Sequence, residues 1–280
     1  MPKIQTNDAD LWYECNGNGH PIVFLHAFAV TGAMWFPQVP MLSTAGYKVV
    51  CVDLRGHGLS SAPPGPYSIT DLALDVHNLI QMLNLGKVCL VGLSTGGRVA
   101  TRLALDYPDD LSELVLVSTN SEPALEIKGE LTELSKIALA GNVLDAVQKF
   151  YSKHYQRLAQ VSPELVDKLI KGWRGKNGDG FAGVATAISE MDSVTSRVSK
   201  IKVPTLAIAG ELDPPCHPYL AWYEREIENC KGFIMPGSGH FMNVEQPESF
   251  NLHMLDFLDA RRANNSPGDY NGSRNWRKMD

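Results

Sequence analysis

A serine stands between glycines in Gly92-Leu93-Ser94-Thr95-Gly96, with Gly97 beyond. A serine hydroxyl is a weak nucleophile until a base takes its proton, so the chain must also supply that base and a group to orient it. Of the eight histidines, His240 stands out in the glycine-rich stretch Pro236-Gly237-Ser238-Gly239-His240-Phe241. Asp213 lies in Gly210-Glu211-Leu212-Asp213-Pro214-Pro215, with Glu211 and Glu122 as competing carboxylates. Asp213 is preferred because it lies deeper in its loop than Glu211. Serine, aspartate, histidine is also the chain order where the nucleophile sits on a sharp strand-to-helix turn. Such a set performs acyl transfer: Ser94 attacks a carbonyl, His240 takes the proton, and Asp213 fixes the imidazole tautomer. The oxyanion that forms needs two backbone donors. The expected pair is the N–H of Thr95, next after the nucleophile, and the N–H of Phe28 in His26-Ala27-Phe28.

These residues meet only if the right elements carry them. Residues 21–26, 47–54, 87–93, 113–118 and 203–210 are nearly continuous apolar runs, the pattern of strands covered on both faces. Short strands at 3–6 and 10–15 open the chain. Over residues 68–83, Leu72, Val76, Leu79, Ile80 and Leu83 recur at helical spacing, and Ser68 with Asp71 reads as the helix start. A helix over about 98–107 follows the serine. Strands alternating with helices predict an α/β fold with a mostly parallel central sheet and helices on both faces. The rhythm breaks between 120 and 200, where 130–139, 142–155, 162–173 and 182–191 all read as helices. It resumes with a strand at 203–210, a helix at 217–228, a strand at 232–235 and a helix at 247–261. The expected organisation is a core over 1–119, a helical cap over 120–200, the rest of the core over 201–262, and a polar, disordered tail over 263–280. Ser94, Asp213 and His240 each follow a strand, so all three belong at the carboxyl end of the sheet, where open α/β sheets hold their sites.

The 280 residues are 44% hydrophobic and 20% charged, enough apolar material for a substantial core. A net charge of −6, with no basic stripe in the body, argues against a nucleic-acid partner. No apolar run reaches the length of about 18 residues that a membrane helix needs. Residues 1–8 lack the charged-then-apolar build of a signal peptide, and the five cysteines are odd in number and dispersed. The cytoplasm is therefore the expected compartment. No Cys-x-x-Cys or His-Glu-x-x-His spacing occurs, and the Gly92–Gly97 turn has no lysine to make a phosphate loop. Neither a metal nor an organic cofactor is expected. The expected partner is a small-molecule substrate, and the oligomeric state is not legible.

Together these motifs resemble the α/β-hydrolase superfamily over roughly residues 10–260. Asp53-Leu54-Arg55-Gly56-His57-Gly58-Leu59-Ser60 and Gly239-His240-Phe241-Met242-Asn243-Val244-Glu245-Gln246-Pro247-Glu248 match its loops as well. Within it, the chain is similar to small-cap esterases and 3-oxoadipate enol-lactonase-like hydrolases; Phe181-Ala182-Gly183, Ala187-Ile188 and Met191-Asp192 resemble the end of that group's cap. The resemblance implies hydrolysis of a small carboxylic ester or lactone, with the cap shaping the substrate site. The same fold also serves carbon–carbon bond hydrolases, cofactor-free perhydrolases, some biosynthetic cyclases and ligand-binding receptors. His26, Ala27, Trp35, Trp173 and Met242 are expected around the substrate, and Phe28 beside them. His26 and His57 are expected to brace loops rather than react. The family usually has His-Gly where this chain has His26-Ala27, so Ala27 is expected to tilt the Phe28 N–H.

Overall fold

The β-branched and aliphatic runs become the central strands of one sheet. The computed structural model describes residues 3–265. Eight strands run β1 (Lys3–Gln5), β2 (Asp10–Asn16), β3 (His20–Leu25), β4 (Tyr47–Asp53), β5 (Val88–Leu93), β6 (Leu111–Val117), β7 (Thr205–Gly210) and β8 (Cys230–Met235). Their order across the sheet is β1-β2-β4-β3-β5-β6-β7-β8. The β1–β2 and β2–β4 pairs are antiparallel, and every other pair is parallel. Parallel strands lie in the middle of the sheet with helices on their faces, so β5 and β7 are buried along their whole length.

The chain steps from β3 outward to β4, then returns across β3 to start β5. That reversal puts the loops after β3 and β5 side by side, with Leu25 opposite Gly92 in register. A crevice at such a reversal is where open α/β sheets bind ligands.

Helices α1 (Val39–Thr44), α2 (Ile69–Met82) and α3 (Thr95–Asp106) make the crossovers of the first half. The expected start of α2 is realised as a reciprocal cap: Asp71 N–H donates to Ser68 Oγ at 3.1 Å, and Ser68 N–H donates to Asp71 Oδ2 at 2.8 Å. Its stripe of Leu72, Val76, Leu79 and Ile80 is buried, each side chain contributing about 1.5–3 kcal/mol of burial.

Among the described residues, only helices lie between β6 and β7: α4 (Lys128–Ile137), α5 (Val143–His154), α6 (Gln156–Val161), α7 (Pro163–Lys171) and α8 (Asp179–Ser189), with a π turn between α4 and α5 and short 3-10 turns before α4 and after α8. This insertion is seated on the sheet side by close backbone contact. A Cβ on Gly180 of α8 would lie 2.2 Å from the carbonyl oxygen of Gly56 in the loop after β4, so only glycine fits there.

After β7 come α9 (His217–Glu226), β8, α10 (Met242–Glu245) and α11 (Pro247–Asn265). Of the tail expected over 263–280, residues 263–265 are the end of α11, and the remainder lies outside the described residues. No helix among the described residues is long and apolar enough to cross a membrane.

Candidate active site

The turn from β5 into α3 is tight enough to strain its serine. Ser94 has φ 54° and ψ −111°, a conformation that non-glycine residues rarely adopt. Two neighbours make the turn possible by lacking side chains. A Cβ on Gly92 would lie 2.2 Å from Gly96 O, and one on Gly96 would lie 2.3 Å from Leu25 O. The strained peptide is held from three directions: Ser94 N–H donates to Val117 O at 2.9 Å, while Ser94 O accepts from Thr119 Oγ1 at 2.7 Å and from Arg98 N–H at 3.1 Å. Thr95 is the first residue of α3, whose opening N–H groups have no acceptor within the helix.

The structure joins Asp213 and His240. His240 Nδ1 donates to Asp213 Oδ2 at 2.8 Å. The loops that carry them are stitched together, since Leu212 N–H donates to Ser238 O at 2.8 Å and a Cβ on Gly210 would lie 2.3 Å from Gly239 O. Burial pushes the Asp213 carboxyl up, but the hydrogen bond and charge of His240, with a smaller contribution from the Cys216 thiol, outweigh it and hold it at about 2. Asp213 is thus a fixed anion aimed at the imidazole. Its two competitors are engaged elsewhere: Glu211 accepts from Gly237 N–H at 2.8 Å, and Glu122 accepts from Ser193 at 2.8 Å and from Thr195.

Asp213, Cys216 and His240 present ligand-type atoms within 4.8 Å of one another. Burial and the neighbouring carboxylate push the Cys216 thiol up, so it remains a hydrogen-bond donor. The group fits a hydrogen-bonded acid–base pair better than a thiolate metal site. Cys216 has no local motif to announce it. Glu245, a residue of the loop that resembles the family's, accepts from Gly239 N–H at 2.7 Å and from Phe241 N–H at 3.2 Å, one residue either side of His240. Arg157 of α6 pairs with Glu245 and donates to Gly237 O at 2.8 Å, so the inserted helices also grip this loop.

The loop after β3 is built on histidines that act as braces. His26 Nδ1–H donates to Ala27 O at 2.7 Å, and its Nε2 accepts from Leu54 N–H at 2.9 Å. His57 Nε2 accepts from Ala29 N–H at 3.0 Å, and its Nδ1–H donates to Arg55 O at 3.2 Å. Burial lowers His26 to about 4 and His57 well below its ordinary value. Both are neutral Nδ1–H tautomers, because each Nε2 must accept.

The backbone at Ala27 does not call for glycine. Among described non-glycine residues the positive φ values belong to Ala29, Asn84, Ser94 and Ser118, so Ala27 lies outside the left-handed region that favours glycine. The strained position is Ala29, at φ 58°.

The expected pocket walls also sort differently. Trp35 is fully buried, its ring 4.7 Å from Phe24 and 6.0 Å from Phe250; it is a core residue. His26, Ala27 and Met242 have no exposed surface, and both ring nitrogens of His26 are spent on backbone. Trp173 reaches the loop through its indole N–H, which donates to Ala29 O at 3.1 Å. Phe28 lies under Phe150 and Phe181 of the insertion, at 5.0 and 4.8 Å between ring centres.

A mostly parallel sheet of this order, with a strained serine after its fifth strand and an Asp–His pair after its seventh and eighth, defines an α/β-hydrolase. The model of the alpha/beta hydrolase fold family matches residues 20–247, and the chain belongs to that family. It is similar to 3-oxoadipate enol-lactonase 2 of Acinetobacter baylyi, 28% identical over 244 residues that cover 86% of this chain and 88% of that one. It is also similar to a non-heme haloperoxidase of Rhodococcus erythropolis, 27% identical over 281 aligned residues, covering 93% and 100%. Among solved structures, the enol-lactonase from Burkholderia xenovorans LB400 superimposes with a TM-score of 0.82 at 26% identity, covering 92% and 100%.

Proposed function

We propose that the protein is a serine hydrolase cleaving small carboxylic esters or enol-lactones through an acyl-enzyme on Ser94. The observation that carries this reading is the 2.8 Å bond from His240 Nδ1 to an anionic Asp213, in a sheet whose nucleophile position holds a strained serine. His240 takes the Ser94 proton through Nε2 as Oγ adds to the carbonyl carbon. Asp213 holds the tautomer and stabilises the imidazolium. The Phe28 and Thr95 N–H groups receive the oxyanion. His240 then returns the proton to the departing alcohol or enol oxygen, and the ester bond breaks. Water, deprotonated by the same histidine, attacks the acyl-enzyme and frees the acid. No metal or organic cofactor takes part.

The helices over 120–200 act as a lid, and the rings of Phe150, Phe181 and Trp173 narrow the space beside Phe28. That favours short acyl groups. Likeness to enol-lactonases supports the lactone side of the reading. The free state of all five cysteines suits the cytoplasm. A second reading, perhydrolysis, is favoured by likeness to the haloperoxidase. There hydrogen peroxide replaces water at the acyl-enzyme and a peracid leaves.

A fluorophosphonate should label Ser94, located by peptide mass spectrometry, and p-nitrophenyl acetate should be cleaved far faster than the palmitate ester. Asp213→Asn should lower turnover by about 10⁴-fold, because the imidazole is then held in the wrong tautomer. An unlabelled wild-type protein overturns the serine-hydrolase reading. Faster peracid formation from acetate and peroxide than ester hydrolysis moves it to the second.

A further inference from the structure

The loop that carries the Phe28 donor is held from outside as well as by its own His26. A peptide unit is planar, with its C=O and N–H on opposite edges, so fixing one edge aims the other. Two such planes meet at the Phe28 Cα. The first carries the Phe28 N–H, and its opposite edge, Ala27 O, is held by His26 at 2.7 Å. The second carries Phe28 O, which accepts from the Tyr155 hydroxyl at 2.7 Å, and Ala29 N–H, which donates to His57 at 3.0 Å. The third plane carries Ala29 O, which accepts from the Tyr151 hydroxyl at 2.9 Å and from the Trp173 indole at 3.1 Å.

Three of these hydrogen bonds come from the inserted helices. Tyr151 lies on α5, Tyr155 at the junction of α5 and α6, and Trp173 just beyond α7. All three side chains are buried, at 3–5% exposure. A buried hydroxyl or indole N–H requires a partner, and each of these finds it in the same two carbonyls. Between those carbonyls lies Ala29, at φ 58°. Alanine holds such a conformation only where its surroundings over-determine it. A loop that needed only to turn would not require a strained alanine clamped on both sides.

We infer that Tyr151, Tyr155 and Trp173 are positioning residues for the oxyanion donor at Phe28, so that seating of the lid and completion of the oxyanion hole are one event. The inference rests on the serine-hydrolase reading. It assigns the lid a part in transition-state stabilisation in addition to shaping the substrate. The same stretch of chain reaches the histidine loop through Arg157, so one lid segment spans both halves of the site.

The two carbonyls differ in redundancy, which gives the test its form. Phe28 O has one side-chain donor from the lid, and Ala29 O has two. Tyr155→Phe should lower kcat on p-nitrophenyl acetate by about tenfold or more, below the 10²–10³ lost when an oxyanion donor is removed outright. KM should stay within about twofold. Affinity for a trifluoromethyl ketone, whose adduct needs the oxyanion hole, should fall in parallel with kcat. Tyr151→Phe and Trp173→Phe should each do less, and the pair together more than the sum of the two. A structural role alone would lower the melting temperature without splitting kcat from KM.

Unchanged kcat and ketone affinity in both Tyr155→Phe and the double variant would overturn the inference while leaving the hydrolase reading intact. So would a loss confined to KM. If Tyr155→Phe does not fold, Tyr151→Phe and Trp173→Phe still carry the same readout. A wild-type protein that neither labels at Ser94 nor turns over any ester or lactone overturns the reading and the inference together.

Discussion

At the scale of single residues, two neighbouring alanines carry opposite expectations. Ala29 has φ 58° and Ala27 does not lie in that region. A non-glycine residue in the left-handed region costs about 1 kcal/mol or more relative to glycine. Ala29→Gly should therefore raise the melting temperature, by about 2 °C for each kcal/mol in a chain of this size. Ala27→Gly should lower it, because it frees the unfolded backbone and removes a buried methyl. Thermal melts of the two variants decide the matter; a rise for Ala27→Gly and a fall for Ala29→Gly would reverse the assignment of strain. Much at this scale was legible in the sequence. Ser94, Asp213 and His240 are readable as candidates through glycine spacing and through their places after apolar runs, which are local signals, and the structure joins the last two. Trp35 misled because an aromatic close to the oxyanion loop in sequence turned inward between Phe24 and Phe250. Tyr151 and Tyr155 gave no sign, since the carbonyls they serve lie 122 and 127 residues away.

At the scale of elements, the strands were readable because two-sided burial writes itself as an unbroken apolar run. Helix starts were harder. The helix after the nucleophile was expected near residue 98, yet α3 begins at Thr95. Gly96 and Gly97 read as turn residues on propensity. Close packing against β3 and Thr119 overrides that preference. Helices α1, α6 and α10 leave no periodic signal, because six, six and four residues are too few to display a period. The seat of α8 on Gly56 can be tested at this scale. A Cβ on Gly180 would lie 2.2 Å from a backbone oxygen, so Gly180→Ala must push α8 away from the loop after β4. Overpacking of this kind costs about 1–3 kcal/mol. The variant should melt several degrees lower and lose turnover as the lid lifts. Unaltered melting and activity would mean that the two backbones are not in contact in solution.

For the whole molecule, the two bracing histidines make stability depend on pH. Both are buried and neutral, with His26 lowered to about 4 and His57 lower than its ordinary value by a wide margin. The unfolded chain binds protons at these positions near the reference value of about 6.5, whereas the folded chain does not until far lower pH. Stability is therefore full above about pH 6.5 and declines as pH falls toward 4. Each histidine contributes a slope of about 1.4 kcal/mol per pH unit in that window. Urea midpoints at pH 7, 6 and 5 should drop accordingly, and a flat series would show that the folded protein protonates them freely. The sheet order has a different consequence. Ser94 and the Phe28 donor precede the inserted helices in the chain, and Asp213 and His240 follow them. On the proposed serine-hydrolase reading, a chain severed within the insertion thus yields two fragments, one with nucleophile and oxyanion donors, the other with acid and base. Neither fragment can run the reaction alone, so ester turnover would count reunions of the two, as a complementation reporter does.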